Sequence, residues 1–354
     1  MHYRAILSGQ RRDPLAFFLR IILRGMTLPY LVVVVIRNLA FDRGWMTVHH
    51  SDVPVISIGN LTTGGTGKTP LVCYLARRLR DCGLRVALVS RGYGAAAGEE
   101  NDEAMELAWS LPDVPHLQNP DRVESARVAV EELETEVIVM DDGFQHRRLG
   151  RDFDIVVIDA TCPFGYDALL PRGLLREPLR GLRRADVVVF TRCDAVTPEQ
   201  FAAIRARVAR FAPQSIVAES VHRPAGLLSW PNRSAPIDRL ADQSVAVLCG
   251  IGNPAAFVRT VESCGLRIVD TLTLPDHDRY EPSTLEMIRL RLGRLGDSVS
   301  AVVCTHKDLV KLQTDRLGGL PLWALRIEID LISGKTEFDR EVTRVASPGE
   351  SPSA

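Results

Sequence analysis

The sequence predicts an α/β protein whose main domain is a parallel sheet of the phosphate-loop (P-loop) type, with helices on both faces. A second, smaller α/β domain is expected to be joined to it by a two-stranded ribbon, and an N-terminal membrane-associated helix to precede both. Three observations predict this. Short β-branched runs alternate with helical stretches from residue 53 onward, the pattern of parallel strands joined by helical crossovers. A glycine loop, "SIGNLTTGGTGKTPLV" at 57–72, separates the first strand from the first helix of that series. An apolar stretch carrying arginines, 13–41, comes before them.

That stretch, "DPLAFFLRIILRGMTLPYLVVVVIRNLAF", is the most apolar window of the chain. A spanning helix needs about 20 consecutive apolar residues. Arg20 and Arg24 interrupt the first half and Pro29 falls where the second begins, so the remaining "LPYLVVVVI" is too short to cross. No small-residue cleavage site follows, which argues against a signal peptide. Residues 1–50 carry Arg4, Arg11, Arg12, Arg20, Arg24, Arg37 and Arg43 against Asp13 and Asp42. The expected role is an interfacial anchor on an anionic membrane surface, peripheral or monotopic; a helix packed on the first domain is the alternative.

Strands are expected at "VPVISIG", "RVALVSRG", "EVIVMDDG", "FDIVVIDA" and "ADVVVFTRCD", and helices at "KTPLVCYLARRLRDCG", ending at Gly83, and "DEAMELAWSLP". A second βα series runs through "SVAVLCGIGNPAAFVRTVESCG", "RIVDTLTL" and "SVSAVVCTHKD". "SIVAESVHRPAGLLSW" and "LPLWALRIEID" have strand patterning outside that alternation and are read as the ribbon. "VASPGESPSA" is expected to be disordered. The resulting organisation is an N-terminal helical segment at 1–50, a P-loop domain at 51–225, a second α/β domain with the ribbon at 226–331 and a tail at 332–354.

The length of 354 residues suits two domains, and 46% hydrophobic with 25% charged residues is an ordinary globular balance. A formal net charge of −1 points to no nucleic-acid partner. Seven cysteines stand singly, without a C-x-x-C pair, as expected of buried thiols in a reducing compartment and not of a disulfide framework or zinc site. Lysine is scarce: Lys68, Lys307, Lys311 and Lys335 only. A lysine inside a glycine loop is therefore conspicuous.

The loop ends in Gly67-Lys68-Thr69, but the first glycine of G-x-x-x-x-G-K-[ST] is replaced by Thr62. Gly64, Gly65, Thr66 and Gly67 remain where the backbone must approach phosphate, and successive N–H groups before a helix N-terminus make an anion cradle. Lys68 is expected to reach the β- and γ-phosphates and Thr69 to hold Mg²⁺.

Beyond the loop, the chain resembles the tetraacyldisaccharide 4′-kinase (lipid A 4′-kinase) family. The resemblance rests on "ISIGNLTTGGTGKTPLV", "SRGYG" (90–94), "NPDRVESA" (119–126) and "VMDDGFQHRRLGRDFDIVVIDA" (139–160). It continues with "LLPRGLLREPLRGLRRAD" (169–186), "GIGNPAAF" (250–257), "LPDHDRY" (274–280) and "THKDLVKL" (305–312), in that order. It implies transfer of the ATP γ-phosphate to the 4′-hydroxyl of a tetraacyldisaccharide 1-phosphate, the lipid A disaccharide precursor, at the cytoplasmic face of the bacterial inner membrane. ATP and Mg²⁺ are the implied cofactors; no protein partner is inferable.

The same resemblance implies the remaining site residues. Asp141 and Asp142 end an apolar strand where a metal-binding carboxylate belongs, although an acidic pair there also suits a turn or cap. Asp102 matches the family base and Glu103 the neighbouring acid, a further metal ligand; Asn101 or Asp102 would equally cap the following helix. His277 matches the histidine that orients the base. Arg176 matches a substrate contact, and Tyr93, Arg122, Gln145, His146 and Lys307 are expected to line the substrate or nucleotide. Arg172, Arg180, Arg183 and Arg184 read either as phosphate contacts or as a solvated basic face. Rival readings are a P-loop GTPase or ATPase switch, since "VVVFTRCD" resembles the guanine-reading [NT]-K-x-D, a non-catalytic membrane scaffold, and a kinase of another amphiphilic sugar.

Overall fold

A computed structural model describes residues 2–92, 102–276 and 278–347. Helix α1 (His2–Leu7) leads into α2 (Pro14–Asp42), a single helix of 29 residues. At a rise of about 1.5 Å per residue α2 is roughly 44 Å long. Pro14 opens it, where a missing N–H costs nothing. Pro29, which limits the uninterrupted apolar run in the sequence, does not end the helix: it continues through this residue, giving up one backbone hydrogen bond to Gly25. By length and composition α2 could cross a membrane, contrary to the sequence expectation, and very little of its apolar surface is covered.

The chain divides into two compact units. The first comprises residues up to 92, 111–221 and from 331 onward. Its strands are β1 (Val55–Asn60), β2 (Val86–Ser90), β3 (His116–Gln118), β4 (Val137–Asp141), β5 (Phe153–Asp159), β6 (Val187–Thr191) and the start of β7 (Ile216–Ser229). All pair in parallel in the order β3-β2-β4-β1-β5-β6-β7. Every residue of β1, β2, β4, β5 and β6 is buried, which is why these strands read as continuous apolar runs and not as alternation. The crossovers include α3 (Lys68–Asp81) after β1, α5 (Arg122–Glu131) before β4 and α6 (Pro198–Ala209) before β7.

The second unit contains 102–110 and 222–330. Helix α4 (Asp102–Ser110), expected inside the P-loop domain, thus belongs to it. Strands β9 (Ser244–Cys249), β10 (Arg267–Thr273), β11 (Ala301–Thr305) and β13 (Leu320–Ser333) pair in parallel in the order β10-β9-β11-β13. Short β8 (Arg233–Ala235) and β12 (Arg316–Leu317) pair antiparallel with β7 and β13. Helices α7 (Pro254–Ser263) and α8 (Pro282–Leu295) are its crossovers, and α9 (His306–Leu312) follows β11 directly. The segments read as a ribbon are β7 and β13, the strands in which the chain leaves the first unit after 221 and re-enters it at 331.

The expected tail is largely not a tail. Lys335–Ala346 forms α10, which buries Phe338, Val342 and Ala346 on one stripe, and Tyr74 donates to Asp339 at 2.8 Å. None of the seven cysteines, all among the described residues, is in a disulfide; Cys73, Cys249 and Cys304 are buried, whereas Cys82 is exposed.

Candidate active site

The glycine loop leaves the buried end of β1 and opens into α3. Gly64 has φ 109 and Gly67 φ 86, the left-handed region that favours glycine. Thr62 needs no such freedom: it forms an antiparallel bridge with Leu175, and Thr63 N donates to Leu174 O at 2.8 Å. The first glycine of the general rule is thus replaced where the backbone is extended. Asn60 Nδ2 donates to Thr66 Oγ1 at 3.0 Å, tying the loop to the strand. Lys68 and Thr69 are the first two residues of α3, so their amides are among those a helix leaves without partners.

Strand β4 lies beside β1 and ends at Asp141. Asp141 is 7% exposed, and its Oδ1 accepts the Asp142 amide at 2.8 Å. Asp142, at φ 50, turns its carboxylate to Lys68 Nζ at 3.2 Å and to Arg176 Nη1 at 2.6 and 2.8 Å. Burial alone would raise this carboxyl, but Lys68 and Arg176 outweigh it and hold the group far below the usual carboxylate range. Arg122, buried with a lowered pKa caused by desolvation, donates to Asp142 O at 3.0 Å. Gln145 Nε2 bridges Asn60 O and Glu177 Oε1, both at 2.9 Å, and its Oε1 accepts from Arg176 at 3.4 Å. Burial and the charges of Arg122, Arg148 and Arg151 lower His146 to about 4, so it is neutral at pH 7.

The basic segment after Pro171 is a 3₁₀ turn at Leu179–Arg184 and not a uniformly solvated face. Arg184 pairs with wholly buried Glu177 at 2.9 Å and lies over the Phe144 ring at 4.4 Å. Arg183 pairs with Asp42 of α2. Arg172 donates to Leu7 O at 3.0 Å, and Arg180 is exposed. Further contacts seat α2 on this unit: Tyr30 Oη donates to Arg176 O at 2.8 Å and Asn38 Nδ2 to Glu177 at 3.2 Å.

A second charged cluster lies within the other unit. Asp102, the first residue of α4, accepts from Lys311 Nζ at 2.7 Å and has Lys307 Nζ at 3.8 Å. Lys307 is also 3.8 Å from Asp276, and Lys311 donates to Asp278 O at 2.9 Å. Both lysines project from α9. The adjacent Asp308 is wholly buried and accepts from Tyr280 Oη at 2.7 Å, Thr305 Oγ1 at 2.6 Å and the Gly250 amide at 3.2 Å. It thereby ties Tyr280 to α9. One turn along α4 from Asp102, Glu106 is 3.8 Å from His306. Burial raises Glu106 to about 7, against the pull of Lys307, and lowers His306 to about 4. His306 meets the Trp109 ring edge-on at 5.5 Å.

The structure therefore gathers Lys68, Arg122, Asp142, Gln145 and Arg176 in one cluster and Asp102 with Lys307 in another. Glu103 is exposed beside Asp102. Tyr93 and His277 lie outside the described residues. Lys311 was missed as a site residue, although its scarce residue type was a signal: three of the four lysines belong to these clusters.

A strand, glycine loop and helix on a parallel sheet, with a lysine opening the helix and carboxylates ending the next strand, define a P-loop phosphotransferase. The tetraacyldisaccharide-1-P 4′-kinase (LpxK) family matches residues 19–347, and the chain belongs to that family. The tetraacyldisaccharide 4′-kinase of Anaeromyxobacter dehalogenans (strain 2CP-C) is 40% identical over 325 residues, 86% of this chain and 85% of that one. The one from Syntrophus aciditrophicus (strain SB) is 39% identical over 368 residues, 96% of each chain. The crystal structure of the "apo" form of LpxK from Aquifex aeolicus in complex with ATP matches with a TM-score of 0.73 at 29% identity. It covers 92% of this chain and 99% of its own. The protein is a kinase of lipid A biosynthesis, which removes the switch and scaffold readings.

Proposed function

We propose that this kinase moves the γ-phosphoryl group of ATP to the 4′-hydroxyl of tetraacyldisaccharide 1-phosphate at the cytoplasmic face of the inner membrane. The observation that carries the reading is Lys68 at the mouth of the glycine loop, held at 3.2 Å by a carboxylate that Arg176 also neutralises. Phosphoryl transfer is mostly positioning and charge neutralisation. The amides of 64–69 would bind the triphosphate, and Lys68 would set the γ-phosphate. Arg176 keeps Asp142 neutralised while Lys68 turns to phosphate.

The residues fit a magnesium ion, which takes one or two carboxylates plus phosphate oxygens and water. Among the described residues no three His, Cys, Asp or Glu side chains form a closed cage, and none is needed for such a shared ion. Thr69, Asp141 and Asp142 would hold it beside the glycine loop. Bound Mg²⁺ would neutralise the β- and γ-phosphate oxygens.

Asp102 is proposed as the acceptor of the hydroxyl proton, its carboxylate oriented by Lys311. Arg122, Gln145, His146 and Lys307 would line the substrates. The exposed Phe17, Phe18, Ile21, Met26 and Leu28 on α2 support contact with an anionic membrane surface, where the acylated substrate resides. The test incubates purified protein with γ-labelled ATP and tetraacyldisaccharide 1-phosphate and locates the label by mass spectrometry. Label on the 4′-oxygen is expected; release as inorganic phosphate alone overturns the proposal.

A further inference from the structure

The end of β6 carries "TRCD" (191–194), the stretch with an arginine where guanine-reading loops have lysine. None of the roles above uses it. Strand β6 runs beside β5, with Thr191 in register with Asp159, and β5 runs beside β1, from which the glycine loop departs. Wholly buried Thr191 donates through Oγ1 to Thr66 O at 2.8 Å. Arg192 donates through Nη1 to Gly65 O at 3.2 Å and ion-pairs with Asp159 Oδ2. The other Asp159 oxygen accepts from the Thr161 amide at 2.9 Å and the Thr161 hydroxyl at 2.7 Å, so this carboxylate is fixed from both sides.

Two consecutive loop carbonyls are thus held from one strand end. This matters because a peptide carbonyl facing a triphosphate repels it, whereas an amide attracts it. Side-chain packing does not crowd the loop at Gly65, where a Cβ would meet no atom within 4 Å. The 65–66 peptide donates through Thr66 N to Gly64 O at 2.9 Å, and two glycines in sequence leave its backbone few steric limits of its own, so the bonds to its carbonyl help decide which way it faces. Arg192 itself adopts φ 56, ψ 41, a conformation that side-chain-bearing residues seldom take unless their surroundings impose it.

We propose that Thr191 and Arg192, braced by Asp159, form a clamp that keeps the Gly65 and Thr66 carbonyls turned away from the phosphate cradle. Arg192 is then a positioning residue for the nucleotide triphosphate. The inference rests on the reading of the loop as the ATP site. It explains the arginine of "TRCD" without guanine recognition, because its guanidinium is spent on the loop and on Asp159. A guanidinium shared between a carboxylate and a peptide carbonyl makes charge-assisted bonds, the stronger kind.

The experiment compares steady-state kinetics of Arg192→Ala, Arg192→Lys and Asp159→Asn with wild type and Lys68→Ala, with thermal unfolding of each. Arg192→Ala should raise the KM for ATP about tenfold, the worth of one charge-assisted hydrogen bond. Its kcat at saturating ATP and its KM for the lipid should stay within about twofold. Arg192→Lys, which still donates to a carbonyl and pairs with Asp159, should recover most of the ATP affinity. Asp159→Asn should shift the KM for ATP in the same direction by less. An unchanged KM for ATP in Arg192→Ala overturns the clamp, as does a uniform loss of both KM values and kcat that tracks unfolding. If Lys68→Ala also binds ATP normally, the reading of the loop falls with it; if Lys68→Ala weakens ATP and Arg192→Ala does not, only the clamp falls.

Discussion

Asp142 and Asp102 each hold two cations, yet the two clusters are made in different ways. Asp142 follows the last residue of a buried parallel strand, and its partners Lys68 and Arg176 are fixed by a helix start and by a loop bonded to Leu61 and Thr63. Asp102 opens a helix, and its lysines come from α9, about two hundred residues further along. The first arrangement is set by the sheet. The second depends on a loop and two helix ends, braced by the buried Asp308. Such a division suits a kinase in which one group of residues grips a common cosubstrate while the other deals with a particular acceptor.

The largest expected effect is on the first cluster. Lys68→Ala should cut kcat/KM by roughly a thousandfold, because γ-phosphate charge goes unmatched and Asp142 keeps only Arg176; a labelled-ATP transfer assay measures it. On the second cluster, Lys311→Met should lower kcat by ~10–100-fold while the KM for ATP moves less than twofold, since only the orientation of Asp102 is lost. A change confined to the KM for ATP would break the contrast drawn between the clusters.

A smaller effect concerns pH. Burial raises Glu106 from 4.5 to about 7, so folding favours its protonated form. The folded state therefore holds more protons than the unfolded state between those values, and its stability declines as pH rises through that window, then levels off. Glu106→Gln should remove the decline and stabilise the protein at pH 8 by ~1–2 kcal/mol, allowing for partial solvent screening. Urea unfolding at pH 5 and pH 8 measures it; an equal slope in both proteins would refute the assignment. The mildest change is Phe17→Ser with Phe18→Ser, two exposed α2 residues. Sedimentation with anionic vesicles should fall severalfold, with turnover of a detergent-dispersed substrate preserved.

The difference between the clusters also explains what the sequence revealed. Buried strands announce themselves as apolar runs, so the order strand, glycine loop, helix and Asp141-Asp142 is legible in the sequence. Thr62 looked like a defect because a motif records residue types and not φ; its bridge to Leu175 removes the need for glycine. The pairing of Asp102 with Lys311 is long-range, and no local pattern encodes it. Arg184 reads in the sequence as a phosphate contact or a solvated charge, because its partner Glu177 and the Phe144 ring are brought to it only by the fold. Pro29 counts against a long spanning run in the sequence, but one lost hydrogen bond does not stop a helix of this length. Helix α10 could have been found: Phe338, Val342 and Ala346 recur every four residues along one face.

The measurement that tests the central claim most directly pairs equilibrium binding of a non-hydrolysable ATP analogue with single-turnover transfer, on wild type and Asp102→Asn. Division of labour predicts that Asp102→Asn binds the analogue within about twofold of wild type and transfers phosphate at least ~100-fold more slowly. Wild-type transfer by Asp102→Asn, or a collapse of its nucleotide affinity, would contradict the account.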